Sequence, residues 1–178
     1  MEVSGKDLAQ KILDKLSLEI AEKNLKPELA IILASLDPAP KMYTSRKMKT
    51  AEEIGIKTVL FEFLEDQNIE CLEKIKELNN DKNVSGILVQ QPMYKDWDFE
   101  SYIQEVDSKK DVDGFKKDSP FKEATAIGVW EMLSEFARLE GFENTEEFLK
   151  NKKIVVLGKG LTAGLDHARA PRLHESAF

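Results

Sequence analysis

Tyr43 and Lys47 stand four residues apart at the start of a helical stretch, so both side chains lie on one face. Lys41, Arg46 and Lys49 make this the most basic part of the chain. A lysine among other cations has a lowered pKa, which suits acid–base work. The plainer alternative is a solvated basic helix with Tyr43 half-buried. Gln90, in Val89-Gln90-Gln91-Pro92, closes an apolar run, where a side-chain amide can orient a polar group or simply supply loop polarity. Asp111-Val112-Asp113-Gly114 begins like a calcium loop, but the further ligands and the closing glutamate are missing. Taken alone, the segment reads as a turn. Gly158-Lys159-Gly160, with Gly164 beyond it, resembles a phosphate-binding turn leading into a helix N-terminus. Its last spacing is one residue longer than the dinucleotide fingerprint.

These residues need elements to hold them. Leu8, Ile12, Leu16 and Ile20, with Leu13 beside them, predict an amphipathic helix. The continuous apolar run at 29–34 predicts a strand buried on both faces, followed by a loop at 35–40. Residues 42–54 form a helix ended by Gly55. A second strand covers 58–63. A third helix is marked by Ile69, Leu72, Ile75 and Leu78. A third strand spans 84–90 and is stopped by Pro92, and a helix covers 97–106. After a charged loop at 107–120 come a long helix at 125–139 and a strand at 153–157. Cys71 falls inside the third helix, where a packing role fits better than catalysis. Strands separated by helices imply an α/β fold, a parallel sheet in αβα layers with right-handed crossovers. Ligands then bind beyond the carboxyl ends of the strands, which points to 35–47, 90–93 and 107–114.

Composition narrows the function classes. The chain has 178 residues, a net charge of -7 and 42% hydrophobic residues. That balance argues against nucleic acid as the main partner, since such a face needs clustered positive charge. No apolar run approaches the roughly 20 residues of a membrane helix, so no membrane partner is expected. One cysteine cannot form an internal disulfide, which suggests a cytoplasmic chain. One cysteine and two histidines are too few for the common zinc patterns, and no metal is expected.

Three separated segments together resemble one family, the bifunctional methylenetetrahydrofolate dehydrogenase/methenyltetrahydrofolate cyclohydrolases. The first is Pro38-Ala39 with Tyr43-x-x-x-Lys47 and Ala51-Glu52-Glu53-Ile54-Gly55-Ile56. The second is Gly86-Ile87-Leu88-Val89-Gln90-Gln91-Pro92. The third is Lys110-Asp111-Val112-Asp113-Gly114-Phe115. The resemblance covers most of residues 1–164. It implies oxidation of 5,10-methylenetetrahydrofolate to the methenyl cation, with NADP as hydride acceptor, then hydrolysis to 10-formyltetrahydrofolate. It also implies a homodimer. Within it, Lys47 matches the catalytic lysine, Gln90 the glutamine that hydrogen-bonds and tunes it, and Tyr43 the tyrosine packing on the folate. Asp113 matches the aspartate that binds the pterin's donor edge, and Pro92 lies in the substrate-binding segment. Gly158, Lys159, Gly160 and Gly164 correspond to the cofactor turn.

By the same resemblance, residues 1–139 are expected to form the folate-binding catalytic domain. Residues 140–178 are expected to begin an NADP-binding, Rossmann-like domain that is truncated, with a poorly ordered tail. Twenty-one residues come after Leu157. One βαβ unit takes roughly 30 or more, so NADP is not expected to bind productively. The chain also departs from the family pattern. Glu123-Ala124-Thr125-Ala126 stands where Pro-Cys-Thr-Pro is usual, and Gly158-Lys159-Gly160 where Gly-Arg-Ser is usual. Two alternatives therefore stand beside the enzyme. One is a non-catalytic folate-binding remnant. The other is a shikimate-dehydrogenase-like protein, whose Lys/Asp arrangement does not match these spacings.

Overall fold

The structure is a computed structural model that describes residues 2–153 and 155. The elements run α1 (Gly5–Glu22), β1 (Glu28–Leu33), α2 (Pro38–Glu53), β2 (Lys57–Glu62), α3 (Asn68–Asn80), β3 (Gly86–Val89), α4 (Phe99–Glu105), a 3-10 turn (Ser108–Lys110), α5 (Ala124–Leu139) and α6 (Thr145–Leu149). Residues Ile12–Phe121 form one compact unit, and the described residues on either side, up to Lys11 and from Lys122 on, form another. The expected strand at 153–157 and the glycine turn Gly158-Lys159-Gly160 to Gly164 lie outside the described residues, apart from Lys153 and Val155. No described helix is long and apolar enough to cross a membrane.

In the first unit the three strands are parallel in the order β2-β1-β3. The chain steps from β1 to β2 in one direction and from β2 back past β1 to β3 in the other. Right-handed crossovers then place α2 and α3 on opposite faces. Central β1 alternates accordingly. Ala30 and Ile32, with Ala34 just past the strand, enter a core with Cys71, Ile75 and Leu78 of α3, Tyr102 and Ile103 of α4, and Ile87 and Val89 of β3, while Ile31 and Leu33 face the other way. Residues 30–34 are all nearly or wholly buried, as a strand covered on both faces requires.

Four sequence expectations change in detail. Helix α2 begins at Pro38, inside the expected loop, because Asp37 caps it by accepting the Ala39 N–H at 2.9 Å and Pro38 needs no partner for a missing N–H. The buried face of α3 is Cys71, Ile75 and Leu78, with Ile69 exposed, since a strict three-residue step drifts off a 3.6-residue helix. Strand β3 and helix α4 are shorter than expected, and Gln90 lies just past β3. Helix α6 is an addition to the expected elements. It is capped by Asn144, whose side-chain oxygen accepts the Glu147 N–H at 2.8 Å.

In the second unit, α5 packs against the first turns of α1. Lys11 Nζ reaches Glu135 at 3.3 Å, and Arg138 binds the same carboxylate. Arg138 first, and Lys11 after it, hold the Glu135 carboxyl down at about 2. Phe136, Phe142 and Phe148 pack edge to face where α5 meets α6.

Candidate active site

The site is built on the segments that leave two adjacent strands. After β1, the Asp37 cap starts α2, which carries Tyr43 and Lys47 on one face, one turn apart. After β3, Gln90 keeps the ladder going for one more residue, its N–H donating to Ile32 O at 2.9 Å. That bond fixes the backbone from which its side chain projects. The side chain is buried and used at both ends. Its Nε2 donates to Gln91 O at 2.5 Å, and its Oε1 accepts from Lys47 Nζ at 3.0 Å. The first bond settles which way the amide faces, so the oxygen is the atom presented to the lysine. The next peptide, Gln91–Pro92, is cis.

Asp113 enters from the third segment. Its loop leaves the 3-10 turn and lies along the free edge of β3, where Asp111 bridges to Ile87 in parallel fashion. Val112 packs so closely over Gly86 that a Cβ there would stand 2.4 Å from Val112 Cγ1, which explains the glycine. Gly114 turns the chain with φ +70, a conformation glycine adopts without steric cost. Asp113 is partly buried. Burial raises its carboxyl above the ordinary 3.8, the Lys47 ammonium opposes that rise, and the Asp111 carboxylate adds to it; the net direction is upward.

Of the residues singled out by sequence, Lys47 thus interacts with both Gln90 and Asp113. Tyr43 shares the exposed face of α2 with Lys47 and has 56% of its surface free to meet a flat ligand. Pro92 is exposed just beyond Gln91. Gly158, Lys159, Gly160 and Gly164 lie outside the described residues. Among the described residues no group of His, Cys, Asp or Glu side chains gathers as a metal site would require. Sequence reasoning passes over Asp111 as a positioning group, because it acts through backbone N–H groups that spacing does not reveal. It also passes over Thr44, buried beneath the Tyr43/Lys47 face.

The arrangement offers an amine held by an amide oxygen, a neighbouring carboxylate and an exposed aromatic ring. It can move a proton while a flat polar ring is held beside it.

Comparison with known proteins identifies the family. The family model for the tetrahydrofolate dehydrogenase/cyclohydrolase catalytic domain matches residues 3–113. The bifunctional protein FolD of Acetivibrio thermocellus is 35% identical over 177 residues, covering 91% of this chain and 58% of that protein. FolD of Nautilia profundicola is 34% identical, again over 91% of this chain and 58% of that protein. The crystal structure of FolD, a methylenetetrahydrofolate dehydrogenase/cyclohydrolase, from Campylobacter jejuni superposes with a TM-score of 0.81 at 31% identity, covering 92% of this chain and 60% of that one. The chain therefore spans a little under two thirds of the length of these relatives. It belongs to the tetrahydrofolate dehydrogenase/cyclohydrolase family.

Proposed function

We propose that this chain binds a one-carbon-substituted tetrahydrofolate and hydrolyses the 5,10-methenyl form to 10-formyltetrahydrofolate. The single observation carrying this reading is the 3.0 Å bond from Lys47 Nζ to Gln90 Oε1, with Asp113 in electrostatic reach of the same amine. In this reading Asp113 accepts N–H donors from the pterin edge, and Tyr43 covers the ring face. The Pro92 segment borders the bound folate. Water adds to the methenyl carbon. Lys47 in its amine form takes a proton from that water, and Gln90 holds the amine in place. The added hydroxyl then releases its remaining proton to solvent as the formyl C=O forms, the bond from that carbon to the ring nitrogen N5 breaks with its electron pair staying on the nitrogen, and the lysine returns its proton there.

Oxidation of the methylene form is the other half of the family's chemistry, and NADP would accept the hydride. The residues assigned to NADP by resemblance lie outside the described residues. Residues 1–139 as the folate-binding catalytic domain, 140–178 as the start of the NADP-binding domain, a homodimer and a cytoplasmic location belong to the same proposal. Glu123-Ala124-Thr125-Ala126, in place of Pro-Cys-Thr-Pro, favours a second reading, a folate-binding chain without turnover.

Hydrolysis is tracked by the loss of methenyltetrahydrofolate's near-ultraviolet absorbance. Lys47→Met keeps the side-chain stem and removes the titrating nitrogen, and it should lower turnover by on the order of 10²–10⁴-fold. Near-full turnover in a folded Lys47→Met chain would refute the assignment. Folate binding by the wild type with no turnover would establish the second reading.

A further inference from the structure

Asp111 is 2% exposed, yet among the described residues it makes no ion pair that would explain a buried carboxylate. Its two oxygens instead accept two backbone N–H groups. Oδ1 takes Gly114 N at 3.1 Å and Oδ2 takes Lys116 N at 2.8 Å. Its carbonyl oxygen accepts from Ser119 Oγ at 3.1 Å. Asp113 sits inside the loop so closed.

The loop is also fastened to its surroundings. Lys110 Nζ donates to Leu78 O and Asp81 O, at 2.7 and 2.6 Å, where α3 ends. Lys116 Nζ donates to Gln104 O and Val106 O, at 3.0 and 2.5 Å, where α4 ends. Both lysines thereby donate to carbonyls at or just past a helix C-terminus, where a cation is favourably placed. From below, Val112 rests on Gly86 of β3.

We propose that Asp111, working with Lys116, is a positioning residue for the folate site: it closes the loop that aims Asp113 at the ligand and so sets affinity for the pterin edge. This rests on the folate reading above. Only a carboxylate serves here. An asparagine would offer one acceptor oxygen and turn its NH2 toward an N–H, leaving donor against donor in a dry position. Asp111 has a second action, because its negative charge raises the Asp113 carboxyl while Lys47, on α2, lowers it.

The test uses the full chain and 5-formyltetrahydrofolate, a stable reduced folate, with binding measured by calorimetry across pH. Asp111→Asn should weaken binding about tenfold, in line with the loss of one charge-assisted hydrogen bond. It should also move the acid limb of binding to lower pH, since a like charge beside Asp113 has gone. A merely structural loosening would weaken binding without that directed shift. Lys116→Met keeps the apolar stem and removes the tie to α4, so it should weaken binding by a smaller factor, about threefold, and leave the acid limb in place. If Asp111→Asn does not fold, weakened binding by Lys116→Met supports the proposal and wild-type binding by it overturns the proposal. A folded Asp111→Asn chain with wild-type affinity and pH profile also overturns it. If the wild type binds and Lys47→Met loses turnover while neither loop variant changes binding, the positioning role fails and the site reading stands. A wild-type chain that does not bind the folate overturns both.

Discussion

At the scale of single residues, function and stability pull in opposite directions at Asp113. Its carboxyl is raised above the ordinary 3.8, chiefly by burial, with Lys47 opposing and Asp111 adding to the rise. The folded state therefore keeps a proton at pH values where the unfolded chain has lost it. Stability is then fully present below 3.8 and falls as pH rises from there through the folded-state value. Asp113→Asn removes the ionisation, so its urea midpoint should exceed the wild type's near neutral pH, and the difference should close below pH 3.8. A variant less stable than wild type at neutral pH would contradict this account. Thr44 shows a cost of another kind. It is 1% exposed, and its hydroxyl finds no hydrogen-bond partner among the described residues. Valine has nearly the same shape and no polar atom to bury. Thr44→Val should stabilise the chain by about 1 kcal/mol, read as a higher urea midpoint at constant slope.

At the scale of elements, the sequence is legible in proportion to how local each signal is. Tyr43 and Lys47 can be placed on one helix face because four residues are one turn. Their helix nevertheless starts four residues earlier than expected, since Pro38 and Pro40 read as loop and the Asp37 cap gives no periodic signal. The Lys47–Gln90 bond joins residues 43 apart in sequence, and only the adjacency of β1 and β3 brings them together. The αβ alternation implies a parallel sheet but not its strand order, so sequence points to this pair only through the family resemblance. Asp111 stays hidden because its partners are backbone groups. Helix α6 is five residues long, too short for any period to show. Cys71 illustrates the residual ambiguity of a three-residue step, which points at Ile69 while the helix turns Cys71 inward. Burial pushes the Cys71 thiol up to about 12 and leaves it 0% exposed. The thiolate is the reactive form, so a thiol-specific reagent at neutral pH should label the native chain only as fast as the core opens. Complete labelling within the mixing time, without denaturant, would show that α3 does not seal the core as described.

At the scale of the whole molecule, the sheet order decides where stability and function reside. Placing β1 between β2 and β3 gives it ladder partners on both sides and cover on both faces. Its inner residues, Ile31 and Ile32, are 0% exposed. Their N–H groups can reach solvent only when the sheet itself comes apart, which is global unfolding for this unit. Helix α1 is the opposite case. It has no buried residue, and Ile12 and Leu16 of its apolar stripe remain exposed, so little apolar area is lost when its turns open. The site sits between these extremes. Gln90 is tied to β1 through the Ile32 carbonyl and inherits the rigidity of the sheet, whereas Lys47 and Tyr43 lie on an exposed helix face that can adjust to a ligand. Amide hydrogen exchange should therefore show a gradient. Amides of β1, and the Gln90 amide that extends its ladder, should exchange last, with an opening free energy equal to that from urea unfolding. Those of α1 should exchange far sooner, and those of α2 around Lys47 at intermediate rates that slow when a folate is added. Equal protection of α1 and β1 would mean that a further surface covers the apolar stripe of α1, and slow exchange confined to α2 would remove β1 from its place as the structural centre of the site.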